Sequence, residues 1–139
     1  MLVTEFKDYV LSSNLFTPAT DWPVQYRFDE TKFTDKTVLV IREQPSAANF
    51  SNTKVKSYDI YLMGRENKIS DTPALEVKIN ELRDFFHSYK AGDLPHTQFN
   101  CIINVNVLTE PYLFGETDTN RILFKISVSV TNSAKLIRG

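Results

Sequence analysis

The sequence predicts an α+β fold: a two-layer sandwich in which a mainly antiparallel sheet carries two helices on one face and long inter-strand loops. Three observations lead there. Apolar residues recur at helical spacing near the start and again over residues 72–89. The segments "FNCIINVNVLTE" (99–110) and "RILFKISVSV" (121–130) alternate apolar and polar residues. Both of these strands keep one polar side, as in a sheet packed by helices on one face and open on the other.

The first helix is expected over about Thr4 to Ser13, ending near Asn14. Leu2, Phe6, Tyr9 and Val10 share one side of it, with Glu5, Lys7 and Asp8 interleaved. "FTPATDWP" holds two prolines and reads as loop. "VQYRF" (24–28) is a short strand and "DETKFTDK" a polar connection. "TVLVIRE" (37–43) has a continuous β-branched apolar run, the mark of an interior strand. "VKSYDIYLMG" (55–64) places Tyr58, Ile60 and Leu62 on one face, with Asp59 and Tyr61 on the other. Thr72 is the expected N-cap of the second helix, with Pro73 at its first position. Leu75, Ile79, Leu82, Phe86 and Tyr89 form its apolar stripe, and "AGD" ends it.

In the strand over 99–110, Cys101, Ile103, Val105 and Val107 face one way, and Asn104 and Asn106 the other. In the last strand, Ile122, Phe124, Ile126, Val128 and Val130 face the helices, while Arg121, Lys125, Ser127 and Ser129 face outward. The element order is α-β-β-β-α-β-β, without an internal repeat. The predicted common core is Ile79, Leu82, Phe86, Ile103, Val105, Phe124 and Ile126.

At 139 residues the chain is read as one domain, 1–139, large enough to bury a core without staples. Its composition, 42% hydrophobic and 24% charged, is that of a globular protein. A net charge of −1 gives no global field toward nucleic acid or membrane. The one cysteine, Cys101, cannot form an intrachain disulfide and fits a reducing compartment. The longest apolar runs, "VLVI" and "IYLM", are too short for a membrane span or a signal-peptide core. The chain is expected to fold in the cytoplasm.

No constellation for catalysis, cofactor or metal stands out. Cys101 falls on the apolar strand face, where cysteine acts as a small hydrophobe. His87 suits the dipole at a helix end, and His96 has no second ligand at metal spacing. Glu116, Asp118 and Asn120 lack the glycine and terminal glutamate of a calcium loop and read as a polar turn. The pairs Glu5 with Asp8 and Asp29 with Glu30 read as solvated surface. Trp22 is either an interface anchor or a lid on the core edge.

Two loops point toward partners. "EQPSAANFSNTK" (43–54) is long for a connection between adjacent strands, and its polar run carries one large apolar residue, Phe50. It reads as a contact arm, with Phe50 as anchor, Asn49 beside it and Lys54 at its base. "EPYLFGETDTN" (110–120) places Tyr112, Leu113 and Phe114 in a second inter-strand loop. Two readings stand for these side chains: contact with neighbouring subunits, or a fold back onto their own sheet.

This succession resembles the tail terminator (tail completion) proteins of long-tailed bacteriophages over about Met1 to Thr131. The resemblance rests on the short first helix, a hairpin like "KTVLVIREQ" and "KSYDIYLMG", and one long amphipathic helix like "PALEVKINELRDFF". It rests also on the closing pair "TEPYLFGETDTNRILFKISVSV". The first hairpin loop lacks the glycines common in the family.

The resemblance implies a non-enzymatic virion protein, assembled in the host cytoplasm, without cofactor or metal. It would form a ring, hexameric in this family, on the head-proximal end of the tail tube. Its partners would be itself, the tail tube protein and the head-completion or connector protein. DNA would pass through the lumen without sequence recognition, and no membrane is involved. The alternatives are another phage neck protein (head closure or adaptor), a tail-tube-like subunit, or a small ligand-binding α+β domain.

Overall fold

A computed structural model describes residues 3–17, 21–45, 53–89 and 100–134, with side chains for all of these except 53–54, 100–103 and 132–134. The fold is α+β. Helix α1 (Val3–Leu11) leads to strands β1 (Val24–Gln25), β2 (Val38–Glu43) and β3 (Thr53–Met63). Helix α2 (Thr72–His87) and strands β4 (Asn100–Glu116) and β5 (Ile122–Ala134) follow. The sheet runs β1-β2-β3-β5-β4, with every pairing antiparallel except β1 with β2.

Helix α1 stops two residues before the expected Ser13. The hydroxyls of Ser12 and Ser13 donate back to the carbonyls of Tyr9 and Val10, and Asn14 takes a left-handed φ of 61°. Asparagine tolerates that conformation and ends helices with it. Strand β1 is only two residues long, against the expected 24–28. At the start of α2, Asp71 holds the N-cap position and Thr72 is already helical. The Thr72 hydroxyl donates to the Ile69 carbonyl at 2.7 Å, and the Asp71 carboxylate is turned to Arg65.

One face of the sheet packs against both helices. Phe6, Tyr9 and Val10 of α1 and Leu75, Ile79, Leu82 and Phe86 of α2 share a core with alternate residues of the strands. Phe6 stacks on Tyr58 at 4.0 Å between ring centroids. Of the predicted core set, Ile79, Leu82, Phe86, Val105, Phe124 and Ile126 are buried there, while the Ile103 side chain lies outside the described residues.

The opposite face departs from the sequence reading, which left it open. Val38, Val40, Tyr61, Met63 and Leu123 are buried in a second cluster, and Phe28 packs on it. Phe28 comes from the connection between β1 and β2, which lies across this face. It meets the Tyr61 ring at 4.5 Å.

Arg121 explains how that connection is held. The alternation put Arg121 on an outward face, yet it is 0% exposed. Its Nε donates to the Gly64 carbonyl at 2.6 Å. Nη1 donates to Glu30 (3.1 Å) and Lys32 (2.8 Å), and Nη2 to Phe33 (3.1 Å) and Lys36 (2.8 Å). A guanidinium has five donors, and here all five meet backbone carbonyls. Burial pushes the Arg121 pKa below its ordinary value, against the raising influence of Glu66 and Glu30. Arginine remains charged in such settings, so the cation sits among carbonyl dipoles.

Candidate assembly surface

Strand β4 is a sheet edge, and it continues to Glu116. Tyr112, Leu113 and Phe114 therefore lie on a strand, not in the loop expected from the sequence. Pro111 was the misleading signal, because proline cannot donate to a ladder. An edge strand accommodates it at an irregularity. Register shifts between Val107 and Thr109, Thr109 and Tyr112, and Leu113 and Gly115 absorb the extra residues. Gly115 has φ 149°, a conformation that glycine allows.

This end of β4 presents apolar side chains on both sides of the strand. Leu113, opposite Phe124, is 54% exposed and borders a shallow depression with Ile69, Pro73 and Ile122. Tyr112 (41%) and Phe114 (48%) point to the other face. Phe114 meets the Tyr61 ring edge-on at 5.4 Å. The Lys125 ammonium lies 5.3 Å from the Phe114 ring centre and 5.5 Å from that of Tyr61. Burial lowers the Lys125 pKa, but Asp59, Tyr61 and Tyr112 outweigh it, so the net shift is upward. Phe114 thus folds back in part onto its own sheet, as one of the two sequence readings had it, and about half of it remains exposed.

The contact arm fares differently. Asn49 and Phe50 lie outside the described residues, as does the Lys54 side chain. The Lys54 backbone pairs with Asn132 in the β3–β5 ladder.

A polar network lies on the central strands β3 and β5. Asp59 accepts hydrogen bonds from Gln44 Nε2 and Ser127 Oγ, both at 2.6 Å, with Lys125 Nζ at 3.9 Å. These charges and dipoles satisfy one another on the sheet face. Trp22 packs edge-on against Phe16 at 5.0 Å, which makes it a lid on the core. His87 and Arg83 both approach Glu110 at 3.6 Å on the surface. Among the described residues, no three His, Cys, Asp or Glu side chains gather as a metal site. No helix there is long and apolar enough to cross a membrane.

No protein-family model and no curated protein matches the chain.

A second exposed patch escaped the sequence reading. Tyr26 and Phe33 line a groove of roughly 390 Å³ beside β1, with Val24, Arg27, Asp29 and Lys32. Both lie in stretches whose polar neighbours masked them. A single phenylalanine within "DETKFTDK" has no periodic partner to draw attention.

Proposed function

We propose that this chain is a structural virion protein that caps the head-proximal end of a phage tail tube as a ring of copies. The ring would be hexameric, stop tube polymerisation and offer the surface on which the filled head docks. Its partners are the tail tube protein and the connector, with DNA passing through the lumen. The α+β class agrees with what the resemblance implies. The observation that carries the reading is the exposed apolar end of β4. Tyr112, Leu113 and Phe114 pack only in part on their own sheet, and their exposed parts on a sheet edge invite association. An assembling subunit needs such an edge.

The test adds the purified chain to polymerising tail-tube protein and measures tube length by negative-stain microscopy. Tubes should stop growing and carry a ring at one end. Leu113→Asp should abolish this, and Phe50→Ala should weaken it if the sequence-derived arm is an anchor. Tubes that elongate unchanged with the wild-type chain would refute the reading.

A further inference from the structure

The Arg121 guanidinium ends among five carbonyls, those of Gly64, Glu30, Lys32, Phe33 and Lys36, all within 3.1 Å of its nitrogens. Four of the five belong to one short segment of the connection between β1 and β2. Among the described residues, no carboxylate comes within ion-pair distance of Arg121. Recognition therefore rests on the directions of carbonyl dipoles. A flat fork of N–H groups matches such a set, and a compact ammonium does not.

The segment has its own reasons to hold this shape. Gln25 grips Asp29 at both backbone groups: Nε2 donates to the carbonyl and Oε1 accepts from the N–H, each at 3.3 Å. The Asp29 carboxylate accepts from the Thr31 N–H (3.2 Å) and hydroxyl (2.6 Å), a turn that aspartate makes with its own side chain. The Lys32 N–H donates to the Asp29 carbonyl at 3.4 Å, and the Lys36 N–H to the Phe33 carbonyl at 3.0 Å. Between these two turns Phe33 takes a left-handed φ of 54°. The Glu66 N–H donates to the Thr34 carbonyl at 2.9 Å, and Phe28 anchors the near end on the second cluster. None of these contacts uses Arg121. The Phe33 carbonyl accepts from Lys36 and Arg121 at once, as a carbonyl with two lone pairs can.

We propose that residues 30–36, with the Gly64 carbonyl, form a guanidinium receptor that keeps its shape without Arg121, its built-in ligand. The ligand class is a planar, singly charged guanidinium group. Local turns shape the receptor, and β5 brings the ligand to it. The proposal does not depend on the tail reading, since no second protein enters it.

The experiment uses the purified chain with Arg121→Ala. N-ethylguanidinium is the fragment that this change removes. Urea unfolding is followed at rising N-ethylguanidinium, and in parallel with ethylammonium, sodium and potassium chlorides at matched ionic strength. Wild type and Phe86→Ala serve as controls. N-ethylguanidinium should stabilise Arg121→Ala. Above its dissociation constant, each tenfold increase should raise the folded-to-unfolded ratio about tenfold. Ethylammonium and the metal ions should not do so. In both controls N-ethylguanidinium should act only as a weak denaturant. No stabilisation of Arg121→Ala would overturn the proposal. So would equal stabilisation by ethylammonium, or equal stabilisation of Phe86→Ala. If Arg121→Ala is unfolded in plain buffer, N-ethylguanidinium should restore its native circular dichroism, and failure to restore it counts against the receptor. Arg121→Lys gives a separate reading of the shape. Phe33 should keep its positive φ there, measured from NMR couplings. Loss of that φ with the sheet still native would show that Arg121 moulds the segment, and would overturn the proposal.

Discussion

Arg121 Nη2 donates to the Phe33 carbonyl at 3.1 Å, joining residues 88 positions apart. The same guanidinium fastens three other carbonyls of the segment and Gly64 at the end of β3. The connection over β2 and β3 is therefore tied to the turn before β5 through one side chain. The fork shape of arginine is what makes this possible, since lysine has fewer donors and no plane.

Replacing Arg121 by Lys should leave several buried carbonyls without donors. The expected loss is at least about 3 kcal/mol, since each unsatisfied buried acceptor costs on the order of 1–3 kcal/mol. Amides of residues 30–36 should exchange faster with solvent than those of β3. A loss under about 1 kcal/mol in urea unfolding would show that the carbonyls find water instead.

Phe86 and Phe124 lie in the core between helices and sheet, with 0% and 4% exposure. Truncating either to Ala should cost about 3–5 kcal/mol, read by chemical denaturation. A much smaller value at both would mean that the two sites collapse around the vacancy.

Acid should loosen the entry to α2. The hydrogen bond from Arg65 holds the Asp71 carboxyl below its ordinary pKa of 3.8, against the opposing effect of its burial. A folded pKa below the unfolded one means that the contribution is present above the unfolded value. It is lost as pH falls through the folded value. Stability should therefore drop below about pH 4 by this route. Asp71→Asn should flatten that part of the pH profile, with the melting temperature as readout. An unchanged acid slope would assign the drop to other carboxylates.

Gly115 has open space where a Cβ would stand, so Gly115→Ala meets no clash. Its φ of 149° nevertheless disfavours a side chain. The cost should be about 1–3 kcal/mol from the backbone alone. A neutral result would mean that this end of β4 shifts readily.

The sequence made the helical stripes and the main alternations plain. Leu75 through Phe86 bury one face, as periodicity records, whereas β5 is buried on both: Ser127 and Ser129, expected to face outward, are buried along with Phe124, Ile126, Val128 and Val130. It hid features that depend on distant chain. Arg121 follows the outward phase of β5, yet it is enclosed by segments that periodicity cannot bring near. Pro111 signals a break, yet an edge strand passes through it with shifted register. The candidate site was half legible. Tyr112, Leu113 and Phe114 stood out as an apolar cluster, while Phe33, exposed and on a left-handed backbone, lies in a polar stretch with no periodic partner.

The β3–β5 ladder sets an order of events during synthesis. Strand β3 pairs with β2 on one side and with β5 on the other, from Thr53–Ser133 to Met63–Leu123. The ribosome releases β2 and β3 first, so the far side of β3 waits unpaired while α2 and β4 are made. The segment that Arg121 fastens waits as well, since its anchor emerges 85 to 91 residues later. Most of the chain is therefore committed before either closure is possible, and non-local pairings of this kind are slow. A nascent chain stalled before β5 would expose a sticky strand border, which makes translation pace and chaperone capture part of this protein's folding problem.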